Sequence, residues 1–443
     1  MRSAAFFLIT LLLACAGTPT AQTPAEPVTA IVGATLIDGT GKPPLQDAIV
    51  LVQSGHVRAA GPRTSISVPE DAEVIDATGK TLIPGLIDLH SHYMNASGRE
   101  LDRQLGVQLA WGVTTARSIG VDDPEHVAQL RSVRERGVPA PRLLTAGLGF
   151  SHPQGHPVNL PQIYRPKGPV EAQQQVLALA HERVDFLKMW VDSKYGTIPK
   201  ISKEVREAIT DAAAQHGIPV VAHIFDEEDV YHLAVREVTD FLHTVRDREP
   251  MDAKFLKLCK SRNVSFTPTL TVIESNWLLM EHPELLLDDP EVRAASSAEA
   301  ATQIADPQWR KQRLAETRLD ILKPELGRAQ RFSKQMAEEG IWLGLGSDSN
   351  GATIPHGWGA HNEMRLLVDA GIAPLEVLSI ATEASARRLG GYGADIGTLE
   401  PGKQADLVLL DADPVADIRN TRRIARVMQA GRWVDREGLL QAE

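Results

Sequence analysis

The sequence predicts an α/β protein: a (β/α)8 TIM barrel carrying a small β-sandwich assembled from both ends of the chain. Three observations predict it. From about residue 84 to residue 394, apolar strand-like runs alternate with helical stretches. Eight such runs end near His92, Arg117, Gly147, Trp190, His223, His243, Thr269 and Asp348. Short alternating strands precede this region and return after about residue 395.

The elements follow in order. Residues 1–21 read as a signal peptide: Arg2 gives the positive start, and Ala4 to Ala14 form an apolar run too short to span a bilayer. Small residues follow, so cleavage near Ala16 or Ala21 is expected. Leu12-Leu13-Ala14-Cys15 also resembles a bacterial lipobox, with Cys15 as the lipidated residue, although Leu13 is unusual there. The chain is therefore expected to be exported, either periplasmic or secreted, with an outer-membrane lipoprotein as the variant. A buried N-terminal helix is the structural alternative. Residues 22–27 read as a tether, and residues 22–83 together with 395–443 as the composite β-sandwich. Val28-Thr29-Ala30-Ile31-Val32 and Ala48-Ile49-Val50-Leu51-Val52 are its strands, broken by turns at Asp38-Gly39-Thr40-Gly41 and Gly61-Pro62. Alone they are too few to close a sandwich, so the tail, with Ala405 to Asp411 and Ile424 to Met428, is expected to complete it.

Residues 84–394 form the expected barrel. The helix from Lys203 to His216 illustrates the pattern: Val205, Ala208, Ile209, Ala212 and Ala213 make one apolar stripe. Gly217 stops it, and Pro219-Val220-Val221-Ala222-His223 follows as a buried strand. A mostly helical insertion, about 276–335, separates the last two strands and reads as a lid or an outer layer. No internal repeat is evident.

Composition limits the function classes. The chain has 443 residues, 43% hydrophobic and 23% charged, enough for one large domain and a smaller one. Its net charge of -11 argues against nucleic-acid binding and against electrostatic docking on an anionic membrane. The expected membrane contact is only the lipid anchor. Cys15 and Cys259 are the two cysteines, so no internal disulfide framework exists, and Cys259 reads as a buried structural thiol.

Six polar residues recur at the ends of barrel strands, where such barrels build their sites. His90 and His92, in Pro84-Gly85-Leu86-Ile87-Asp88-Leu89-His90-Ser91-His92, project to one face of a strand, as two ligands of one metal must. Lys188 lies in Val184-Asp185-Phe186-Leu187-Lys188-Met189-Trp190. A lysine inside a doubly buried strand is costly unless neutralised. It can add carbon dioxide to become a carbamate, or snorkel out at the strand end. His223, His243 and Asp348 close three more strands. Each has a plainer reading, as a satisfied core histidine or a helix cap. Together they supply ligands for a two-metal site.

These residues carry a resemblance. The chain resembles the amidohydrolase superfamily, in the group of imidazolonepropionase-like enzymes and metal-dependent Xaa-Pro dipeptidases and carboxypeptidases. The carriers are Leu82 to His92; Gly112-Val113-Thr114-Thr115-Ala116-Arg117; Lys188; His223; His243; Gly346-Ser347-Asp348; and the tail from Gly397 to Val408. The resemblance implies that His90, His92 and Asp348 hold one divalent ion and His223 and His243 a second. Carboxylated Lys188 would bridge them. Zinc is the usual metal, though the donor set also suits manganese, cobalt or iron.

Such a site implies hydrolysis of an amide by a hydroxide shared between the cations, with Asp348 as general base and then acid. His156, in Ser151-His152-Pro153-Gln154-Gly155-His156, matches a Gly-Gly-His stretch of related peptidases except for Gln154, and would polarise the carbonyl or be an ordinary loop histidine. Tyr195 and Arg246 are candidates to bind a substrate carboxylate; Arg246 can equally pair with Asp247 or Asp240. His361 and Glu363 match a family His-x-Glu and are expected to support the ligands from behind. The expected partner is a small amide or dipeptide, or a second copy of the chain in a homo-oligomer. The alternatives are a ring-opening cyclic amidase or lactonase with one metal, and a scaffold without catalysis.

Overall fold

The structure is a computed structural model that describes residues 27–441 except Asn95, Arg134 and Pro161. The expected leader, Cys15 and most of the tether lie outside the described residues.

Both ends of the chain build one eight-stranded sheet. Its strands are Thr29–Leu36, Leu45–Gln53, His56–Pro62, Glu73–Asp76, Thr81–Pro84, Leu407–Leu410, Ile424–Gln429 and Arg432–Trp433. Thr81–Pro84 pairs antiparallel with Leu407–Leu410, which joins the N-terminal strands to the tail. Period-2 alternation decides what each face covers. Leu407 and Leu409 pack with Ile31, Val50 and Leu82 inside the sheet. Val408 and Leu410 point the other way and join the large core shared with the barrel. Neither set of strands closes this core without the other.

Eight parallel strands form the barrel: Leu86–Ser91, Val113–Ser118, Arg142–Thr145, Leu187–Val191, Val220–Ile224, Asp240–Leu242, Ser265–Thr267 and Trp342–Leu343. Two seams close it. Phe150 N–H donates to the Lys188 carbonyl at 2.8 Å, joining the third strand's extension to the fourth. Leu89 N–H donates to the Leu345 carbonyl at 2.9 Å and Asp348 N–H to the His90 carbonyl at 2.7 Å, joining last to first. The sheet docks at the N-terminal ends of the first strands, where Gly85 N–H meets the Asp406 carbonyl at 2.9 Å and a Cβ on Gly112 would strike Val408. The opposite, C-terminal ends are left for the site.

Between the seventh and eighth strands the chain forms a run of short helices and one long helix, Leu319–Glu338. The long helix serves two sides. Its Ala329, Phe332 and Met336 join the main core, while Ile321, Leu322 and Glu325, a turn or two earlier, reach a cavity above the barrel.

Candidate metal centre

Barrel closure itself assembles the first group of ligands. The hydrogen bond from Asp348 N–H to His90 O brings the ends of the first and last strands together. His90 and His92 then face each other with Nε2 atoms 3.2 Å apart. Asp348 Oδ1 lies 3.5 Å from His90 Nε2 and 3.1 Å from His92 Nε2. His243 offers a nitrogen to the same place: it, His90 and Asp348 present donor atoms all within 4.8 Å of one another.

A second group lies beside the first. His156, Asp192 and His223 also present donor atoms within 4.8 Å of one another, and His223 Nε2 is 3.0 Å from Asp192 Oδ2. The imidazoles of His156, His223, His243, His90 and His92 form a row with successive centroids 5.3, 4.1, 5.1 and 5.1 Å apart. The grouping differs from the expected division in one respect. His243 groups with His90 and Asp348, while His223 groups with His156 and Asp192.

Lys188 sits among these rings. Its charge bears on His90, His156, His223, His243 and Asp348 alike. The side chain is fully buried, and its Nζ has no hydrogen-bond partner among the described residues. The stem passes Gly120 and Gly149, where an added Cβ would stand 2.8 and 3.1 Å from Lys188 Cγ. Burial pulls the amine down to about 7, with Asp348 and Asp240 opposing. An orphaned, half-neutral amine beside five imidazoles and a carboxylate is a group in want of a partner.

Electrostatics suit cation binding. Burial holds His90, His223 and His243 well below the usual imidazole range, so they are neutral ligands at pH 7. Burial also brings His156 to about 4. For Asp348, burial opposes ionisation, but His90 and His92 outweigh it and hold the carboxyl below its ordinary range.

Supporting contacts fix these donors. Thr269 Oγ1 donates to the Pro268 carbonyl at 2.7 Å, so it must accept from His243 Nδ1–H; Nε2 of His243 is then left with its lone pair. The buried Asp88 carboxylate accepts from His90 N–H at 3.1 Å, Ser91 Oγ at 3.0 Å and Ser347 N–H at 3.0 Å, tying the first and last strands together. Strain gathers at the same rim: Lys194, Tyr195, His243, Thr269 and Asp348 all have φ between 48° and 69°.

Glu363 and His361 part company. Glu363 accepts from Leu270 N–H, Thr271 N–H and Thr271 Oγ1 at 2.7–2.9 Å and so holds the turn that carries Thr269. His361 spends both ring nitrogens, each at 2.9 Å, on Thr421 Oγ1 and the Trp111 carbonyl, neither of which touches a candidate ligand through that bond. Two residues apart on the helix Trp358–Asp369, they cannot share a face.

The cavity above the donors holds about 490 Å³. Tyr195 and Arg246 line it, but both already meet a carboxylate. Arg246 Nη1 donates to Glu325 Oε1 at 2.5 Å, and Tyr195 OH to Glu325 Oε2 at 3.2 Å. Arg246 therefore does not use Asp240 or Asp247: Asp240 binds Arg117 at 2.6 Å, and Asp247 accepts from Glu227 N–H at 3.0 Å. Asp192, Glu325, Asp88 and Thr269 are additions to the site beyond the sequence reading. Asp192 carried a signal, a carboxylate directly after the fourth strand; Glu325, on a helix surface, carried none.

Comparison with known proteins gives one family. A model of the amidohydrolase family matches residues 81–434. The chain is 25% identical over 387 residues to the imidazolonepropionase of Caulobacter vibrioides, covering 84% of this chain and 90% of that protein. It is 47% identical over 51 residues to the dihydroorotase of Mycobacterium tuberculosis, a match spanning only 11% of the latter. Among solved structures, a prolidase candidate from Bifidobacterium longum superposes with a TM-score of 0.73 at 26% identity, covering 94% of this chain and 99% of that one. A Xaa-Pro dipeptidase with bound methionine superposes with a TM-score of 0.70 at 20% identity, covering 92% and 99%, a likeness of fold. The chain belongs to the amidohydrolase family.

Proposed function

We propose that this amidohydrolase-family protein is an exported, metal-dependent hydrolase of amide carbon–nitrogen bonds. Two divalent ions, zinc first among them, would be held by His90, His92, Lys188, His223, His243 and Asp348, with Lys188 carboxylated. The observation that carries this reading is the orphaned Lys188 amine at the centre of the donor set. Carboxylation forms an N–C bond to carbon dioxide, releases a proton and yields a carbamate with two oxygens. It satisfies the buried nitrogen and supplies the bridge. The neutral imidazoles and ionised Asp348 fit the cations without any change of protonation.

When bound, such ions supply a nucleophilic water at neutral pH and polarise the scissile carbonyl. The chain does the rest. Asp348, fixed by its backbone bond to His90, accepts a proton from the attacking water and returns it to the leaving amine. His156, neutral near pH 7, has one N–H to offer the carbonyl oxygen as charge develops there. Tyr195 and Arg246 line the substrate side. The products are an acid and an amine.

A second reading is ring-opening hydrolysis of a cyclic amide or lactone at one ion. The tight grouping of His90, His243 and Asp348, which needs no other donor, favours it. The test is amine release from a library of dipeptides, N-acyl amino acids and uncharged amides, with zinc- and bicarbonate-grown protein, before and after chelation. Expected is release that chelation abolishes and zinc restores. Release unaffected by chelation, or hydrolysis confined to cyclic substrates, overturns the first reading. For export, an N-terminus beginning at Met1 in protein recovered from the native host would contradict it.

A further inference from the structure

We infer that the preferred substrate is an uncharged amide with an apolar flank, and that Glu325 sets this preference. This rests on the amide-hydrolase reading above. It concerns which amide the cavity admits.

Every lysine and arginine lining the cavity has a carboxylate of its own. Arg246 and Tyr195 both meet Glu325. Lys194 Nζ lies 2.8 Å from Asp192 Oδ2. Arg318 forks onto Asp320 at 2.8 and 3.0 Å. A substrate carboxylate arriving here finds each wall cation already paired, Lys194 and Arg318 at the exposed margin and Arg246 in a buried pair.

Displacement is the remaining route, and at Arg246, the buried cation of the three, burial opposes it. The side chains of Arg246 and Glu325 are only 9% and 6% exposed. A guest that took Arg246 would leave the Glu325 carboxylate buried beside a second anion, with the charge of Asp348 also lining the cavity. Removing one partner of a buried pair costs far more than the pair is worth. Glu325 thus occupies the position a substrate carboxylate would take on Arg246.

The remaining lining suits an apolar group. Met94, Leu160, Trp190, Phe225, Ile273 and Leu322 face the same space. Phe225 is itself covered, with Tyr195 edge-on at 4.6 Å and the Arg246 guanidinium 5.4 Å from its centroid. Arg246 thereby becomes a neutralised donor flanked by rings, suited to a neutral carbonyl or aryl group.

The test is a matched pair differing by one carboxylate: N-acetylphenethylamine and N-acetylphenylalanine, assayed on the zinc-loaded full chain. Affinities of the corresponding methylsulfonamides, which resist hydrolysis, are measured by calorimetry in parallel. The neutral member is expected to lead by about tenfold or more in kcat/KM and in affinity. Glu325→Gln should shift the ratio toward the carboxylate by about tenfold to hundredfold. A wild-type preference for the carboxylate, or a ratio unmoved by Glu325→Gln, overturns the inference and leaves the hydrolase reading intact. If neither amide is cleaved, the hydrolase reading suffers, while the sulfonamide affinities still decide the inference. The wild-type comparison needs no variant, so a folding defect in Glu325→Gln does not protect it.

Discussion

The floor and the roof of the cavity are built on different principles. The floor consists of His90, His92, His223, His243 and Asp348, at or just past the C-terminal ends of barrel strands, and Lys188, the second residue of the strand Leu187–Val191, all fixed by strand register and closure. The roof consists of Tyr195 and Arg246 from loops and Glu325 from a long helix, joined by a contact between residues 79 apart in sequence. The floor is where the chemistry can occur. The roof is where one amide can be told from another. Among the described residues, no hydrogen bond of the floor's donors runs through Glu325.

Three substitutions test this division, in falling order of effect. Asp348→Asn removes the proposed proton acceptor at the strand seam and should lower kcat by roughly 10²–10⁴-fold, with KM little changed; steady-state kinetics at matched zinc content would check it. A loss seen only in KM would move Asp348 from chemistry to binding. Thr269→Val leaves His243 Nδ1–H without its acceptor and should weaken metal affinity by about 10–100-fold, read by competition with a chelator. His361→Phe belongs to neither region. It strips the Trp111 carbonyl of a donor and should cost about 1–3 kcal/mol in denaturant unfolding while leaving kcat unchanged. A large drop in kcat for His361→Phe would return it to the site and blur the comparison.

The floor was legible in the sequence for a local reason. Strand ends in a (β/α)8 barrel project into one space, so residue type at each end is enough. Lys188 stood out because its strand neighbours are apolar, and its 0% exposure bears out the oddity. The composite sheet was legible through alternation, as Leu407 and Leu409 face one core and Val408 and Leu410 the other. The rest depends on distance or on helix phase. Arg246 has acids nearby in sequence, Asp240 and Asp247, yet Arg117 and the Glu227 backbone take them and a helix far along the chain supplies the partner. Asp192 carries a weak signal, because a polar residue directly after a strand is ordinary. His361 and Glu363 looked like a unit, but helical geometry sends them to different neighbours.

The central claim is that Lys188, carboxylated, bridges two ions on the floor. It is tested most directly by elemental metal analysis of protein grown with zinc and bicarbonate, comparing wild type with Lys188→Ala. The account predicts about two metal ions per chain in the wild type. In Lys188→Ala it predicts about one or fewer, with hydrolysis falling in step. A Lys188→Ala protein that keeps two ions and full activity would contradict it.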